Sequence, residues 1–252
     1  MAGHAAAAAL ILKLVFPRVD AARRRALVGW WAAKLLRIVG VATQLEGDPP
    51  PASEAGAMIA ANHVSWLDIF VIQAVRPTRF VAKSEVRDWP LAGWIAERAG
   101  TLFIRRGLGR DAARINDRVR AALAQGDCVG IFPEGTTTEG DVLLAFHASL
   151  FEPAVANHAH VHPCAIRYEH ADGSLCRALA YVGELSFMQS LGLAIRSRGV
   201  VARIRFAPVV ETADSTRREV AAAARARVAS LLGLEPAGTP PSRASDRQGA
   251  PP

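Results

Sequence analysis

The clearest chemical signal in the sequence is a histidine followed five positions later by an aspartate. His63 and Asp68 belong to residues 62–68 (NHVSWLD), directly after an apolar run that predicts a strand. In one continuous helix the two side chains would point about 140° apart, so they can meet only if His63 precedes the helix. We expect Ser65 to be the N-cap, with Asp68 in the first helical turn and the loop folding His63 back onto the carboxylate.

A histidine–aspartate pair of this kind can act as a general base. The carboxylate holds one imidazole nitrogen and leaves the other free to accept a proton from a hydroxyl group. Taken alone, the spacing is more typical of a structural histidine at a strand end beside an acidic helix cap. It is accompanied, however, by polar blocks at other predicted strand ends: residues 101–106 (TLFIRR), 132–136 (FPEGT) and 161–163 (VHP). Strand ends that gather polar residues in one α/β sheet are typical of an active site.

The elements that must position these blocks alternate between apolar runs and helical patterns. This alternation predicts an α/β domain over residues 45–234, with a largely parallel or mixed sheet flanked by helices. Strands are predicted at residues 57–61, 79–83, 101–105, 128–132, 161–168, 178–182 and 201–207. Helices are predicted at residues 66–75, 91–98, 110–124 and 216–232. Residues 235–252 are rich in Pro, Gly, Ser and Arg and are predicted to be a disordered tail.

Residues 1–44 are predicted to form a helical segment that associates with a membrane. Apolar stretches at residues 5–16 and 26–43 flank the basic residues 23–25 (RRR). The second stretch would be about 27 Å long as a helix, but Lys34 and Arg37 interrupt it. An interfacial position, with both cations toward lipid phosphates, suits this pattern better than a span. The alternative is an ordinary amphipathic helix packed on the core.

Composition narrows the classes of partner. The chain has 252 residues, of which 51% are hydrophobic, and a net charge of +7, a combination whose usual partners are nucleic acid, an anionic membrane or an acidic soluble protein. Aromatic residues make up only 6%, which argues against single-stranded nucleic acid, and no nucleic-acid partner is expected. His158, His160 and His162 could hold zinc, but no acidic or cysteine ligand lies close to them in sequence, so no metal is expected.

The ordered set of polar blocks resembles the glycerolipid acyltransferase family from about residue 45 to residue 207, with matching order and spacing. The resemblance implies that His63 deprotonates the free hydroxyl of a lysophospholipid, which attacks the thioester of acyl-CoA or acyl carrier protein, while Asp68 orients His63. A thioester is already activated, so no cofactor is implied. The family also implies a lipid bilayer as partner and a location at the cytoplasmic face of the cell membrane.

The same resemblance implies which residues bind substrate. Arg106 would hold the acceptor phosphate, and Lys83 would be a second phosphate contact. Pro163 would shape the wall of the acyl site. Three residues of the second block would line the acceptor site: Glu134, Gly135 and Thr136. Gly135 would do so by allowing a close approach of the backbone.

Two departures from the family pattern leave the acceptor open. Family members often carry Arg directly after Glu-Gly-Thr, where this chain has Thr137, and Asp before the phosphate-binding Arg, where it has Arg105. In one hypothesis a cation has moved between loops, so that Arg105 joins Arg106 at a phosphorylated acceptor. In the other the headgroup differs, as in lyso-ornithine lipid. Arg106 and the family's commonest activity favour 1-acylglycerol-3-phosphate. A non-catalytic lipid-binding relative is a further alternative, which the intact His63 and Asp68 disfavour.

Overall fold

A seven-stranded mixed sheet is the frame of the described residues. The computed structural model describes residues 11–84, 97, 100–104 and 109–234. The strands are β1 (Val41–Glu46), β2 (Met58–Ala61), β3 (Arg79–Lys83), β4 (Leu102–Ile104), β5 (Val129–Ile131), β6 (Val161–Glu169) and β7 (Val200–Phe206). They lie in the order β1-β7-β6-β2-β5-β3-β4. Only the β6–β7 pair of this sheet is antiparallel, so the predicted α/β class with a mixed sheet is confirmed.

Helices cover both faces of this sheet. They are α1 (Ala21–Val39), α2 (Asp68–Val75), α3 (Gly109–Ala124), α4 (Glu152–Ala156), α5 (Phe187–Arg196) and α6 (Arg217–Leu232). Strand β2 shows the two layers, because Ile59 belongs to the same core cluster as Val71 of α2, whereas Met58 belongs to the cluster of Val119 of α3. Burial on both faces explains why β2 reads as an unbroken apolar run.

The apolar residues 26–43 do not form one helix. Helix α1 ends at Val39, where Gly40 adopts a left-handed conformation (φ +86°) and its N–H bonds the carbonyl oxygens of Leu36 and Arg37. Strand β1 then begins at Val41 and pairs in parallel with β7. A glycine that ends a helix this way is a strong local stop, but within a continuous apolar stretch it is easily overlooked.

Helix α1 packs on the protein core, as in the alternative to membrane association. Its buried residues are Ala32, Leu35, Leu36 and Val39. Trp31 also contacts Phe70 of α2, with ring centroids 5.7 Å apart. No helix within the described ranges has the length and apolar character to cross a membrane. The described residues therefore show no N-terminal membrane helix, and the predicted interfacial association of residues 1–44 stays a prediction. Strand β1 runs through the boundary predicted after residue 44.

The strand predicted at residues 178–182 is wrong. A short 3-10 helix, Arg177–Leu179, occupies part of this segment. Leu179 and Ala180 are buried in the core, so their apolar character reflects burial without strand pairing. Apolar runs this short do not distinguish a strand from another buried segment.

The parallel pairing of β2 with β5 places two of the polar blocks side by side. Ala60 pairs with Ile131 in this ladder, so both strands end at what we call the carboxyl end of the sheet. Residues 62–68 and 132–136 follow these two strands directly. The opposite end, where β2 and β6 begin together at Met58 and Val161, we call the amino end.

Candidate active site

His63 and Asp68 form a hydrogen-bonded pair at the carboxyl end of the sheet. Nδ1 of His63 lies 2.8 Å from Oδ2 of Asp68. The Asp68 side chain is fully buried, whereas 20% of the His63 side chain is exposed. Within the described ranges, no hydrogen bond engages Nε2 of His63. The loop therefore folds His63 back onto the carboxylate as predicted, with one ring nitrogen held and the other available.

Three further donors fix the Asp68 carboxylate. Oδ2 also accepts the backbone N–H groups of Val64 at 2.7 Å and Ser65 at 2.9 Å, and Oδ1 accepts the hydroxyl of Tyr168 at 2.6 Å. An ionised carboxylate only accepts hydrogen bonds, so all four donors suit it. A neutral His63 that donates from Nδ1 to this carboxylate keeps its lone pair on Nε2.

Ser65 is not the helix N-cap, and the prediction that it caps α2 is wrong. Helix α2 begins at Asp68 after Leu67, without a side-chain cap. The Ser65 hydroxyl is buried and makes no hydrogen bond within the described residues. The physical reason is that the N–H of Asp68, which a Ser65 cap would accept, donates instead to the carbonyl oxygen of Ser65 at 3.1 Å.

The block that follows β5 clamps the backbone of His63 from both sides. Oε1 of Glu134 accepts the N–H of His63 at 2.8 Å, and the N–H of Thr138 donates to the carbonyl oxygen of His63 at 2.9 Å. Oε2 of Glu134 accepts the N–H of Leu144 at 2.8 Å. Both carboxyl oxygens of Glu134 therefore accept backbone N–H groups, and Glu134 positions His63. Its predicted contact with an acceptor stays a prediction.

The pKa of the Glu134 carboxyl group is affected by its burial. Desolvation raises the pKa of this carboxyl group, and the backbone N–H groups of Leu144 and His63 oppose the rise. Only 4% of Glu134 is exposed. A carboxylate in such a place needs its donors, because a buried charge without partners is costly.

A column of aromatic rings supports the imidazole from behind. The ring of His63 stacks on Phe132 with centroids 3.9 Å apart, and Phe132 stacks on Phe80 at 5.6 Å. Beneath them, a Cβ placed on Gly130 would lie 2.5 Å from Cε1 of Phe80. The glycine in β5 thus leaves the space that the column of rings occupies.

Gly135, Thr136 and Thr137 form the turn beside the pair. Gly135 has a φ of +73°, and a Cβ there would come within 3.2 Å of the His147 ring, so the turn depends on glycine. Thr136 is exposed, as an acceptor-lining residue would be. The hydroxyl of Thr137 donates to the carbonyl oxygen of Tyr181. At the position where family members often carry Arg, this chain therefore uses its side chain to fasten a neighbouring segment.

The remaining predicted substrate-binding residues are less fully placed. Lys83 is the last residue of β3, and its side chain is outside the description. Arg105 and Arg106 lie outside the described residues, as do the predicted tail at 235–252 and nearly all of the helix predicted at 91–98. Pro163 is buried in β6 opposite Ala60.

Pro163 pairs with β2 but occupies an interruption in the antiparallel pairing on the other side of β6. It lies between the isolated bridge of Val161 with Val210 and the antiparallel ladder that begins at Cys164. A residue without an N–H is tolerated where a ladder is broken. Its predicted role at the acyl site stays a prediction.

Sequence reasoning did not identify two residues that build the pair. Tyr168 supplies the hydroxyl that binds Asp68, across 100 positions of sequence. Asn62 bonds the N–H of Ile166 at 2.8 Å and its carbonyl oxygen at 3.0 Å, which extends the β2–β6 pairing up to His63. No local spacing signals these contacts, because they arise only when β6 is laid beside β2.

Comparison with known proteins agrees with this geometry. A family model described as Acyltransferase matches residues 43–167. The chain is 38% identical to the lyso-ornithine lipid O-acyltransferase of Pseudomonas aeruginosa, over 81% of this chain and 78% of that protein. It is also 38% identical to the 1-acyl-sn-glycerol-3-phosphate acyltransferase of Neisseria meningitidis, over 68% of this chain and 67% of that protein.

The fold has a counterpart among solved structures. The 1-acyl-sn-glycerophosphate (LPA) acyltransferase PlsC of Thermotoga maritima matches with a TM-score of 0.63 and 18% identity, over 89% of this chain and 86% of that chain. At this identity the likeness concerns the fold alone. The matched residues 43–167 include the His63–Asp68 pair and Glu134. With two relatives at 38% identity over at least two thirds of their lengths, the chain belongs to the glycerolipid acyltransferase family.

Proposed function

We propose that the protein transfers a fatty acyl chain to the free hydroxyl group of a lysophospholipid, with acyl-CoA or acyl carrier protein as the donor. One observation carries this proposal: Asp68 holds Nδ1 of His63 at 2.8 Å, while Nε2 makes no hydrogen bond within the described ranges. A neutral imidazole oriented in this way has the geometry that a hydroxyl-activating base requires. The glycerolipid acyltransferase family supplies the substrate class.

The chemistry needs one proton acceptor and no covalent enzyme intermediate. Nε2 of His63 takes the proton of the acceptor hydroxyl as its oxygen attacks the thioester carbonyl carbon and the C–O bond forms. The tetrahedral intermediate then collapses, the C–S bond breaks, and Nε2–H returns the proton to the leaving thiolate. Asp68 stabilises the imidazolium that exists between these steps. Such a base contributes a factor of about 10²–10⁴ to the rate.

The acceptor that we favour is 1-acylglycerol-3-phosphate, which would give phosphatidate. Arg105 and Arg106 follow directly after Ile104 in the sequence. Lys83 ends β3 and pairs with Ile104 in the parallel β3–β4 ladder, so one cationic residue ends β3 and two follow the last residue of β4 in the sequence. Guanidinium groups suit phosphate, which they bind through two parallel hydrogen bonds. The relative in Neisseria meningitidis is named for this acceptor.

Lyso-ornithine lipid is the second candidate acceptor, and a specific observation favours it. The Thr137 hydroxyl donates to the carbonyl oxygen of Tyr181, so the position that often supplies a cation in the family supplies none here. The relative in Pseudomonas aeruginosa is named for this acceptor and matches over 81% of this chain.

An acceptor panel separates the two candidates. Purified protein would be assayed with 1-acylglycerol-3-phosphate, lyso-ornithine lipid and lysophosphatidylcholine, each with acyl-CoA and with acyl carrier protein. We expect the highest kcat/KM with 1-acylglycerol-3-phosphate. We also expect Arg106→Ala to raise KM for this acceptor far more than for an unphosphorylated one. A preference for lyso-ornithine lipid, with equal losses for both acceptors in Arg106→Ala, would establish the second candidate.

A control variant tests the proposed base within the same panel. His63→Ala should lower transfer to every acceptor by about 10²–10⁴, whereas His170→Ala, which changes an exposed histidine beyond β6, should leave transfer intact. If His63→Ala retained near-normal turnover, the base role of His63 would be wrong, and if the wild type transferred an acyl chain to none of the acceptors, the proposed reaction would be wrong.

We propose that the enzyme works on a bilayer surface at the cytoplasmic face of the cell membrane, where both donors are found. Exposed apolar side chains support this proposal: Trp30 in α1 is 52% exposed and Met188 in α5 is 70% exposed. Lys34 lies 5.0 Å from the centroid of the Trp30 ring, which pairs a cation with an aromatic ring as at a headgroup boundary. Cosedimentation with anionic vesicles, compared between the wild type and Trp30→Ala, measures this association.

A further inference from the structure

A second group of imidazoles and carboxylates lies at the amino end of the sheet, far from the catalytic pair. His160 precedes β6 and His162 is its second residue, while Glu54 comes from the loop before β2. Glu211 follows Val210, which bridges to Val161. We call these four residues the amino-end cluster. The glycerolipid acyltransferase reaction described above does not use them.

The distances within the cluster are those of groups gathered around one point. Oε1 of Glu54 lies 2.9 Å from Nδ1 of His160 and 3.1 Å from Nε2 of His162. The ligand atoms of these three residues all lie within 4.8 Å of one another. Ligand atoms bound to a tetrahedral zinc ion stand roughly 3.3 Å apart, given metal–ligand bonds of about 2.0–2.2 Å. Small side-chain adjustments would therefore centre the three atoms on an ion.

Ordinary hydrogen bonding accounts poorly for His160. Its Nδ1 faces Glu54, and its Nε2 lies 3.0 Å from Oε2 of Glu211, so both ring nitrogens meet a carboxylate. A neutral imidazole has only one N–H, which leaves a lone pair directed at one carboxylate oxygen. A cation placed between Glu54, His160 and His162 removes this conflict, because the lone pairs of both imidazoles then point at the metal.

Glu211 completes a pattern that is common in metal proteins. When Nδ1 of His160 binds a metal, Nε2 carries the proton and donates it to Glu211. A carboxylate behind a ligating histidine fixes the tautomer and raises the basicity of the ligand. The donor set of two imidazoles and one carboxylate suits zinc and neighbouring divalent transition metals.

The cluster is accessible without being fully open. The side chains of Glu54 and His162 are 17% and 10% exposed, and that of His160 is 44% exposed. A surface depression of about 320 Å³ adjoins Glu54 and His160. Water can therefore complete the coordination and an ion can reach the ligands from solvent.

We propose that Glu54, His160 and His162 bind a divalent transition-metal ion such as Zn²⁺, with Glu211 orienting His160. The ion links the loop before β2 to the start of β6, two segments separated by more than 100 residues. Its effect is structural, because the catalytic pair lies at the other end of these strands. This proposal does not depend on the identity of the lipid acceptor.

Calorimetric titration with Zn²⁺ tests the site, using full-length protein made without a polyhistidine tag and treated with a chelator. We expect one ion per chain, and a Tm higher by about 5–10 °C at a hundredfold excess over Kd. Co²⁺ should give the visible absorption bands of a tetrahedral site. His162→Gln and Glu54→Gln should each weaken binding at least tenfold, and Glu211→Ala by about tenfold. The matched control, His170→Gln, should bind as the wild type does.

Three outcomes would overturn the metal site. They are the absence of one-to-one binding below about 100 μM, affinity that is unchanged in His162→Gln, and a Tm that changes with pH in the range where histidine titrates but not with added metal. The last would mean that His160 is doubly protonated between its two carboxylates. Retained acyltransferase turnover in His162→Gln and Glu54→Gln shows that these variants are folded, so loss of metal binding cannot be ascribed to unfolding.

Discussion

The two ends of the sheet hold the same kinds of side chain in different arrangements. At the carboxyl end, Asp68 is fully buried and holds one imidazole, His63, by one nitrogen. At the amino end, Glu54 is partly exposed and faces two imidazoles, those of His160 and His162. The contact distances are similar, between 2.8 and 3.1 Å. Contact distance alone therefore does not distinguish a catalytic base from a set of metal ligands.

Burial and the neighbouring donors make the difference. Asp68 also accepts hydrogen bonds from two backbone N–H groups and the Tyr168 hydroxyl. These donors hold the carboxylate in one orientation and occupy both of its oxygens. The carboxylate of Glu54 is shared by imidazoles whose lone pairs can converge on an ion. A carboxylate that is locked by its own chain orients a base, whereas one that is shared among imidazoles suits a cation.

The largest expected difference between the two ends is in turnover after removal of an imidazole. His63→Ala should lower kcat by about 10²–10⁴ because the proton acceptor is lost. His162→Ala should leave kcat unchanged, since His162 lies at the amino end of the sheet and the catalytic pair lies at the carboxyl end. Steady-state kinetics with both variants measures this, and a large loss in His162→Ala would remove the division between the two ends.

Neutralising the carboxylate at each end should give the next largest contrast. In Asp68→Asn, the amide NH₂ group would replace one of the accepting oxygens and face N–H or O–H groups that are themselves donors. We therefore expect kcat to fall by about 10²–10³ and KM to change little. Glu54→Gln should affect Zn²⁺ binding and leave kcat as it is. Both kcat and Zn²⁺ affinity would be measured in each variant. Loss of Zn²⁺ binding in Asp68→Asn, or a large loss of kcat in Glu54→Gln, would contradict the comparison.

A smaller contrast is expected for the groups that support each carboxylate or imidazole. Tyr168→Phe removes the hydroxyl that binds Oδ1 of Asp68 and leaves a buried acceptor unpaired, so it should cost about 1–3 kcal/mol in the free energy of unfolding. We expect kcat to fall by about tenfold with KM preserved, because Tyr168 is fully buried and acts through Asp68. Glu211→Ala should alter neither quantity in metal-free protein. Urea denaturation and steady-state kinetics decide between these outcomes.

The smallest expected effect is a pH dependence of stability that belongs to Glu134. Burial raises the pKa of Glu134 in the folded state, so between about 4.5 and that raised value the folded chain binds more protons than the unfolded chain. The free energy of unfolding should therefore fall as pH rises through this window. Glu134→Gln cannot titrate, so its stability should vary less with pH over the same range. Denaturant titrations at half-unit pH intervals compare the two slopes.

Local patterns predicted much of the frame and the centre of the site. Strand β3 has the predicted bounds, and α3 begins one residue earlier than predicted, because propensity and periodicity act over a few residues. The contact between His63 and Asp68 could be predicted for the same reason, because only five positions separate the two residues. Strand β1 was missed because Gly40, which ends α1, stands inside an apolar stretch.

Contacts between distant segments were not predictable in this way. Tyr168 reaches Asp68, and Glu54 reaches His160, only because β6 lies beside β2. The expectation that the histidine cluster lacks an acidic neighbour was correct for the sequence and wrong in space. Ser65 failed as a cap because the N–H of Asp68 donates to the carbonyl oxygen of Ser65 and not to its hydroxyl, a backbone turn that residue spacing alone does not reveal.

The glycine beneath the aromatic column makes an apolar position part of the catalytic geometry. A Cβ at Gly130 would lie 2.5 Å from Cε1 of Phe80 and 2.9 Å from Cγ2 of Thr78, so Gly130→Ala requires Phe80 to shift. Because Phe80 stacks on Phe132, and Phe132 on His63, such a shift would reach the imidazole through carbon atoms alone. The orientation of the base in this chain therefore depends on a residue that has no side chain of its own.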